Sequence, residues 1–277
     1  MKLYLNDILY ALSFALDSVE HELVGVSGYH AQRVAYLAVK MAGEAGLSAT
    51  ELIDLAACAV LHDNALTEYL HSERKNGRDA WSGKGAVSLG AHCEMGERNV
   101  SCLPFYPRVK DVLLYHHERV DGHGPFGKTA QETPVFAQLI HLTDQLDAAF
   151  NLNQLDSGGY RRILDYLHKG SGSLFEPAWV EVFSRAFDDQ ELAGLGGDIN
   201  GLLKKTLPRL PVDYDDRDIR GLAAMFARIT DYKSPFTSRH SQDIAEKARR
   251  MAQNYGYDQE QQTKLYLAGR CMISVNW

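Results

Sequence analysis

Seven side chains between residues 30 and 144 are of the types that bind divalent cations: His30, His62, Asp63, His92, His116, His117 and Asp144. Imidazole nitrogens and carboxylates suit borderline divalent metals, and a carboxylate can bridge two ions. Five His and two Asp near helix ends are enough for two metals. Two ions about 3.5–4 Å apart can share a hydroxide and neutralise a phosphoryl group in transfer. Each piece alone is weak evidence. Pairs such as His62-Asp63 and His116-His117 arise by chance, and a single helical His is more often a satisfied core or surface residue. Their weight comes from standing together in one order.

Helices must position them, because the periodicity is helical nearly throughout. Apolar residues at three-to-four spacing predict helices over 5–23 (Leu5, Ile8, Leu9, Leu12) and 30–45 (Val34, Leu37, Ala38, Met41). A capping box, Ser48 with Glu51, opens a third that runs to His62. Further helices are expected over 106–118, 133–150, 158–168, 176–188, 195–206, 215–230, 238–254 and 258–270. No run alternates for long enough to make a strand, so the expected fold class is all-α. Gly-rich or polar stretches at 72–90 and at Asp121 to Gly127 read as loops, which often carry function. Two prolines in Leu207-Pro-Arg-Leu-Pro211 stop a helix and divide the chain into 1–206 and 207–277.

Composition narrows the partners. With 45% hydrophobic and 23% charged residues, 277 residues can bury a real core, which excludes wholesale disorder. The net charge of −7 and the lack of a basic run argue against binding polymeric nucleic acid or a membrane surface. No uncharged apolar run reaches the roughly 18–20 residues of a membrane span. Asp7, Asp17 and Glu20 interrupt the apolar start, which therefore does not read as a signal peptide. Cys58, Cys93, Cys102 and Cys271 form no CxxC pair, so reduced thiols and a cytoplasmic setting are expected.

The ordered set resembles the HD superfamily of metal-dependent phosphohydrolases, specifically its HD-GYP branch, over about residues 25–190. The carrying segments are His30-Ala-Gln-Arg-Val34, Leu61-His-Asp-Asn-Ala-Leu66 and His92-Cys-Glu-Met-Gly96, followed by His116-His-Glu-Arg-Val-Asp-Gly-His-Gly-Pro-Phe126 and Thr143-Asp-Gln-Leu-Asp-Ala148. Phe175-Glu-Pro-Ala-Trp-Val180 is similar to the family's FDPxxV tail. The resemblance implies an HD-domain helical bundle, with extra helices C-terminal to it here. It implies that His30, His62, Asp63 and Asp144 bind one metal, that Asp63 bridges to a second, and that His92, His116 and His117 hold that second ion. It implies iron or manganese, a hydroxide between the two ions, and cyclic di-GMP or cyclic GMP-AMP as substrate. On this reading His62 and Asp63 are the core of the catalytic motif.

The chain departs from the family pattern at three places. Leu66 stands where the family's LHDIGK segment has lysine, and Gly124-Pro125-Phe126 replaces Gly-Tyr-Pro. Val26 stands where some members have a glutamate, which argues against a third metal. One positioned donor can be worth roughly 10²–10³ in rate, so metal binding without turnover is the alternative reading. Arg119, His123 and Lys128 are the candidates for substrate contact. Arg161 and Arg162 read as surface charges, Trp81 and Phe126 as core or base-stacking aromatics, and His141 as a supporting residue three positions before Asp144. His21, His71 and His168 read as surface histidines.

The segment after residue 207 repeats the start of the chain. Arg239-His240-Ser241-Gln-Asp-Ile-Ala has the shape of Tyr29-His30-Ala31-Gln-Arg-Val-Ala, and both lead through a short turn into another helix. Position 272 follows His240 at the same spacing as His62 follows His30, so a second LHD is expected there. The chain reads Cys271-Met-Ile-Ser-Val-Asn-Trp277 instead. Codons TGC ATG ATA TCG GTA AAT TGG, shifted one base after a C, would encode Leu-His-Asp-Ile-Gly-Lys-Leu. The expectation is a second domain cut by a frameshift, with apolar helix faces that favour a homodimer.

Overall fold

A computed structural model describes residues 2–4, 7, 8, 10, 13, 16, 17, 28–75, 89–231 and 235–271. The architecture is all-α. Among the described residues the helices are α1 (His30–Glu44), α2 (Ala49–Val60), α3 (Leu66–Lys75), α4 (Leu89–Val100), α5 (Tyr106–Val109) and α6 (Val135–Phe150). They continue as α7 (Gly159–Gly170), α8 (Pro177–Ala186), α9 (Asp189–Ala193), α10 (Ile199–Thr206), α11 (Asp216–Asp231), α12 (Pro235–Asn254) and α13 (Gln259–Cys271). The strand pair is minimal: β1 (Lys2–Leu3) runs antiparallel to β2 (Val212–Asp213), with Lys2 opposite Asp213. Residues 5, 6, 76–88 and 272–277 lie outside the described set, as does most of the helix expected over 5–23. So do His21, Val26, Trp81 and positions 272 and 273 of the expected second LHD.

α1 is the centre of the bundle. Val34, Ala35, Leu37, Ala38 and Met41 are fully buried, and α1 packs against α2, α6, α8 and α10. A helix that is apolar on most of its surface has to sit inside such a ring. Its first turn is tied by Asp17 Oδ1, which accepts the Ala31 N–H at 3.1 Å, because Tyr29 at the N-cap lies in the left-handed region with φ 67°. The capping box at α2 is present: Ser48 Oγ accepts the Glu51 N–H, and Glu51 accepts the Ser48 N–H at 2.8 Å. α6 presents Leu139, Ile140, Leu142 and Leu146 to the core, leaving His141 and Asp144 for other surfaces.

Two expectations are corrected. The helix expected over 106–118 ends at Val109. Val109, Val112 and Leu113 are buried, which mimics helical periodicity, but the chain is captured by Glu97. Its carboxylate accepts the N–H groups of Asp111 at 2.6 Å and of Leu113 and Leu114 at 3.1 Å each. Asp111 is left-handed with φ 67°, so His116 and His117 stand on turns, not on a helix. The loop expected at 72–90 is entered by the end of α3 and the start of α4, neither of which was expected. α4 buries His92, Cys93, Gly96, Glu97 and Asn99, so it has little apolar stripe to read.

The sequence repeat is also a structural one. At the end of α1, the Ala45 N–H bonds the Met41 carbonyl and the Leu47 N–H bonds the Ala42 carbonyl, with Gly46 at φ 83°. At the end of α12, Tyr255 bonds Met251 and Tyr257 bonds Ala252, with Gly256 at φ 76°. Glycine at C′ makes this turn without strain. A capping box follows in both copies, Ser48 with Glu51 and Asp258 with Gln261. α11 joins the two parts: Ile219, Leu222 and Met225 are buried in the main core.

Candidate metal centre

His30 opens α1, His62 and Asp63 follow α2, His92 lies on α4, His116 and His117 precede the Gly-rich loop, and Asp144 lies on α6. The structure brings all seven to one place. His30, His62 and Asp144 offer ligand atoms within 4.8 Å of one another, as do His92, His116 and His117 together with Cys93. Asp63 stands between the two groups: Oδ2 is 3.5 Å from His62 Nε2, while Oδ1 is 3.3 Å from His92 Nε2 and 3.6 Å from His116 Nε2. Asp144 faces the first group, with Oδ1 3.5 Å from His30 Nε2 and 3.7 Å from His62 Nε2.

Neighbouring acceptors fix the tautomers. His62 Nδ1 donates to the Ala59 carbonyl at 2.8 Å, and His116 Nδ1 donates to the Leu113 carbonyl at 2.7 Å. A carbonyl only accepts, so Nδ1 carries a hydrogen in each ring and Nε2 is the nitrogen turned inward, where a cation would meet it. His30 Nδ1 is held by Asp147 Oδ2 at 2.6 Å, and Arg33 grips the same carboxylate through Nε at 2.6 Å and Nη2 at 2.9 Å. A carboxylate or carbonyl behind the distal nitrogen is the usual support of a metal-binding His.

Several buried atoms in the cluster lack a hydrogen-bond partner: His62 Nε2, Asp63 Oδ1, His92 Nδ1 and His116 Nε2. Orphaned buried polar atoms are costly, and a cation would satisfy the three that face the centre. The protonation balance agrees. Burial alone would lower His30 and His62, but Asp144 and Asp147 hold His30 well above its ordinary value, and Asp63 and Asp144 push His62 up to about 9. Burial likewise opposes ionisation of Asp63 and Asp144, yet the surrounding imidazoles keep both carboxyls well below the usual range. Burial lowers His116 and His117, leaving those rings neutral. The donor set therefore fits divalent cations: the carboxylates are anionic, His116 and His117 are neutral, and a bound cation would take the place of the protons that Asp63, Asp144 and Asp147 favour on His30 and His62.

Some of the supporting residues were not singled out from the sequence. Cys93 Sγ lies 3.8 Å from His92 Nε2, and burial pushes its thiol up, which keeps it protonated. Asn64 donates to the Leu61 and Gly96 carbonyls at 2.8 and 3.3 Å, tying the turn that carries Asp63 to α4. Glu118 accepts the N–H groups of Phe126 and Lys128, each at 2.6 Å, and so shapes the Gly-rich loop. A Cβ at Gly124 would lie 2.7 Å from Glu118 Cα, which only glycine avoids.

Beside the cluster is a cavity of about 540 Å³, which reaches His117 and is lined by Arg119, His123, His141 and Gln145. Leu89, Pro125 and Leu174 give it apolar walls. Of the three residues expected to contact substrate, Arg119 and His123 line this cavity and Lys128 does not. Arg119 is bound to Asp121 by two hydrogen bonds, at 3.1 and 2.6 Å, and Lys128 pairs with Glu132 at 3.2 Å. Arg161, Arg162 and His168 are exposed on α7.

Comparison with known proteins was decisive at the level of family. The HD domain matches residues 19–178, more than half of the sequence. The chain belongs to the HD-domain family. It is 25% identical over 280 residues to 3′3′-cGAMP-specific phosphodiesterase 1 of Vibrio cholerae serotype O1, covering 96% of this chain and 62% of that protein. It is 25% identical over 192 residues to 3′3′-cGAMP-specific phosphodiesterase 2 of the same organism, covering 66% of this chain and 35% of that protein. The chain thus spans less than two thirds of the length of these relatives. A crystal structure of a cyclic GMP-AMP-specific phosphodiesterase of V. cholerae superposes with a TM-score of 0.71 at 21% identity, covering 98% of this chain and 70% of that one. This HD-domain chain therefore has the all-α HD fold.

Proposed function

We propose that this HD-domain protein is a metal-dependent phosphodiesterase of the HD-GYP type, acting on a cyclic dinucleotide, with cyclic GMP-AMP as the first choice. The observation that supports it most is the convergence of His62 Nε2, His116 Nε2 and Asp63 Oδ1, all buried and unpartnered, between two groups of ligand atoms. The curated relatives that it resembles carry the matching substrate in their names.

His30, His62 and Asp144 would hold one divalent ion, and His92, His116 and His117 a second, with Asp63 shared. When bound, such a pair supplies Lewis-acid neutralisation at phosphorus and deprotonation of water near neutral pH. The remaining work falls to the chain itself. Asp147 and Arg33 lock His30 in orientation, and the Ala59 and Leu113 carbonyls keep the distal protons of His62 and His116 away from the centre. The burial of His30, His62, His92 and His116, each at most 5% exposed, keeps bulk water from competing for these positions. Iron or manganese suits this nitrogen-rich oxygen-bridged set.

The second reading rests on Leu66. It opens α3 just after Asp63, where the resembled family has a lysine. A leucine has no hydrogen to donate to a phosphate or a leaving oxygen. On that reading the centre binds metal and nucleotide without cleaving.

One experiment separates the two. The full chain, reconstituted with manganese or iron, is assayed for metal content and for hydrolysis of cyclic GMP-AMP and cyclic di-GMP. The expected result is bound metal and turnover, both lost in His62→Ala and Asp63→Ala. Bound metal without turnover establishes the second reading. Lack of bound metal, with turnover unaffected by those substitutions, defeats both.

A further inference from the structure

Not every buried polar group near the centre belongs to the metal-binding set. His141 is 6% exposed; the backbone of His116 approaches its ring, but neither Nδ1 nor Nε2 closes a well-formed hydrogen bond. It lines the cavity beside His117, and Gln145, one turn further along α6, lines it too. A buried imidazole whose nitrogens are incompletely paired costs free energy unless something meets them.

The charge of the cavity indicates what that ligand is. A phosphate subsite commonly draws on an uncommitted Arg or Lys. Among the described lining residues Arg119 is the one Arg or Lys, and Asp121 binds it through both carboxylate oxygens. His123 also faces Asp121, at 3.3 Å, with its side chain 76% exposed. The cavity is thus close to electrically balanced, with walls from Leu89, Pro125 and Leu174. A neutral imidazole and a carboxamide each offer both a donor and an acceptor. Phosphate offers acceptors alone, whereas a purine edge offers donors and acceptors on a flat apolar body. A Gln carboxamide can pair with such an edge through two hydrogen bonds. The volume of about 540 Å³ lies inside the roughly 300–1,000 Å³ range of small-molecule pockets.

We infer that this cavity is a purine pocket in which His141 and Gln145 read the hydrogen-bonding edge of one base while the phosphodiester lies at the metal-binding side chains. This rests on the cyclic-dinucleotide reading above and adds the residues that select the base. His141 and Gln145 are positioning residues that act by binding.

Calorimetric titration of the full manganese-loaded chain with AMP, GMP and ribose 5-phosphate tests it. AMP or GMP is expected to bind at least about tenfold more tightly than ribose 5-phosphate, as one good paired edge is worth about 1–3 kcal/mol. Gln145→Leu and His141→Asn are each expected to shrink that margin, with metal content and ribose 5-phosphate affinity unchanged. Equal affinities for all three ligands would overturn the proposal. So would a margin that survives both substitutions, or one lost only together with the metal. The margin is independent of cleavage: if it is present without hydrolysis of cyclic GMP-AMP, the pocket stands and the catalytic reading fails. Hydrolysis without a margin removes the purine pocket and leaves the catalytic reading standing.

Discussion

Asp147 holds two partners at once. It receives Nδ1 of His30 on one side and the Arg33 guanidinium on the other, and all three residues are buried. Burial opposes its ionisation, but these two partners outweigh burial and lower its carboxyl below the usual value. Removing it would take the counter-ion from the buried Arg33 guanidinium, which keeps the Gly28 carbonyl, and would free the His30 ring. Asp147→Ala is therefore expected to cost about 3–5 kcal/mol of stability, because one member of a buried pair is left alone. Metal affinity is expected to fall by about 10–100-fold, as for other carboxylates placed behind a ligating His. Denaturant unfolding and a chelator competition titration would measure both; a loss under about 1 kcal/mol would show the pair to be solvent-screened. The sequence displayed Asp147 inside its motif but not its task. His62, Asp63, His116 and His117 were legible because adjacent pairs in a fixed order need only the chain itself. The Asp147 contact joins positions 114 and 117 residues apart, and no local pattern carries that.

Elements failed to show themselves where polar groups replaced apolar stripes. α4 faces inward with His92, Glu97 and Asn99, so periodicity had almost nothing to register, although it carries one candidate ligand and the anchor for two others. The opposite error arose at 106–118, where buried Val109, Val112 and Leu113 stand at helical spacing in a stretch that is mostly turns. Glu97 explains both. Its carboxylate takes three backbone N–H groups between Asp111 and Leu114, which sets the path that delivers His116 and His117 beside His92. Glu97→Ala would leave those donors without an acceptor, at about 1–3 kcal/mol for each one that water does not reach. The expected consequence is selective: the ion assigned to His92, His116 and His117 should be lost to chelator first, while the one assigned to His30, His62 and Asp144 is retained. A competition titration that shows both ions weakened equally would mean that Glu97 supports the bundle as a whole and not this segment.

At the scale of the molecule, the proline pair near residue 210 suggested a division into 1–206 and 207–277, and α11 packs across that point. The repeat after it was readable because helix, glycine turn and capping box recur in order, and the second copy closes the same hydrogen bonds as the first. Where that copy docks was not readable, since a periodic apolar face does not name its partner. α11 settles it by burying Ile219, Leu222 and Met225 in the main core, and by approaching so closely that a Cβ at Gly221 would lie 2.3 Å from the Cys102 carbonyl oxygen. α12 and α13 are then tied to α11 through Arg220 with Glu246 at 3.1 Å and Thr263 with Asp216 at 2.8 Å. A chain connected in this way should unfold as one unit. Calorimetry is expected to show a single transition, and Leu222→Ala to lower all of it, because truncating a buried leucine costs about 2–5 kcal/mol. If residues 207–277 were an independent unit, two transitions would appear and the substitution would shift only the one that leaves metal binding intact. A single shifted transition, followed in parallel by metal release, would place the repeated helices inside the cooperative core that holds the metal-binding cluster together.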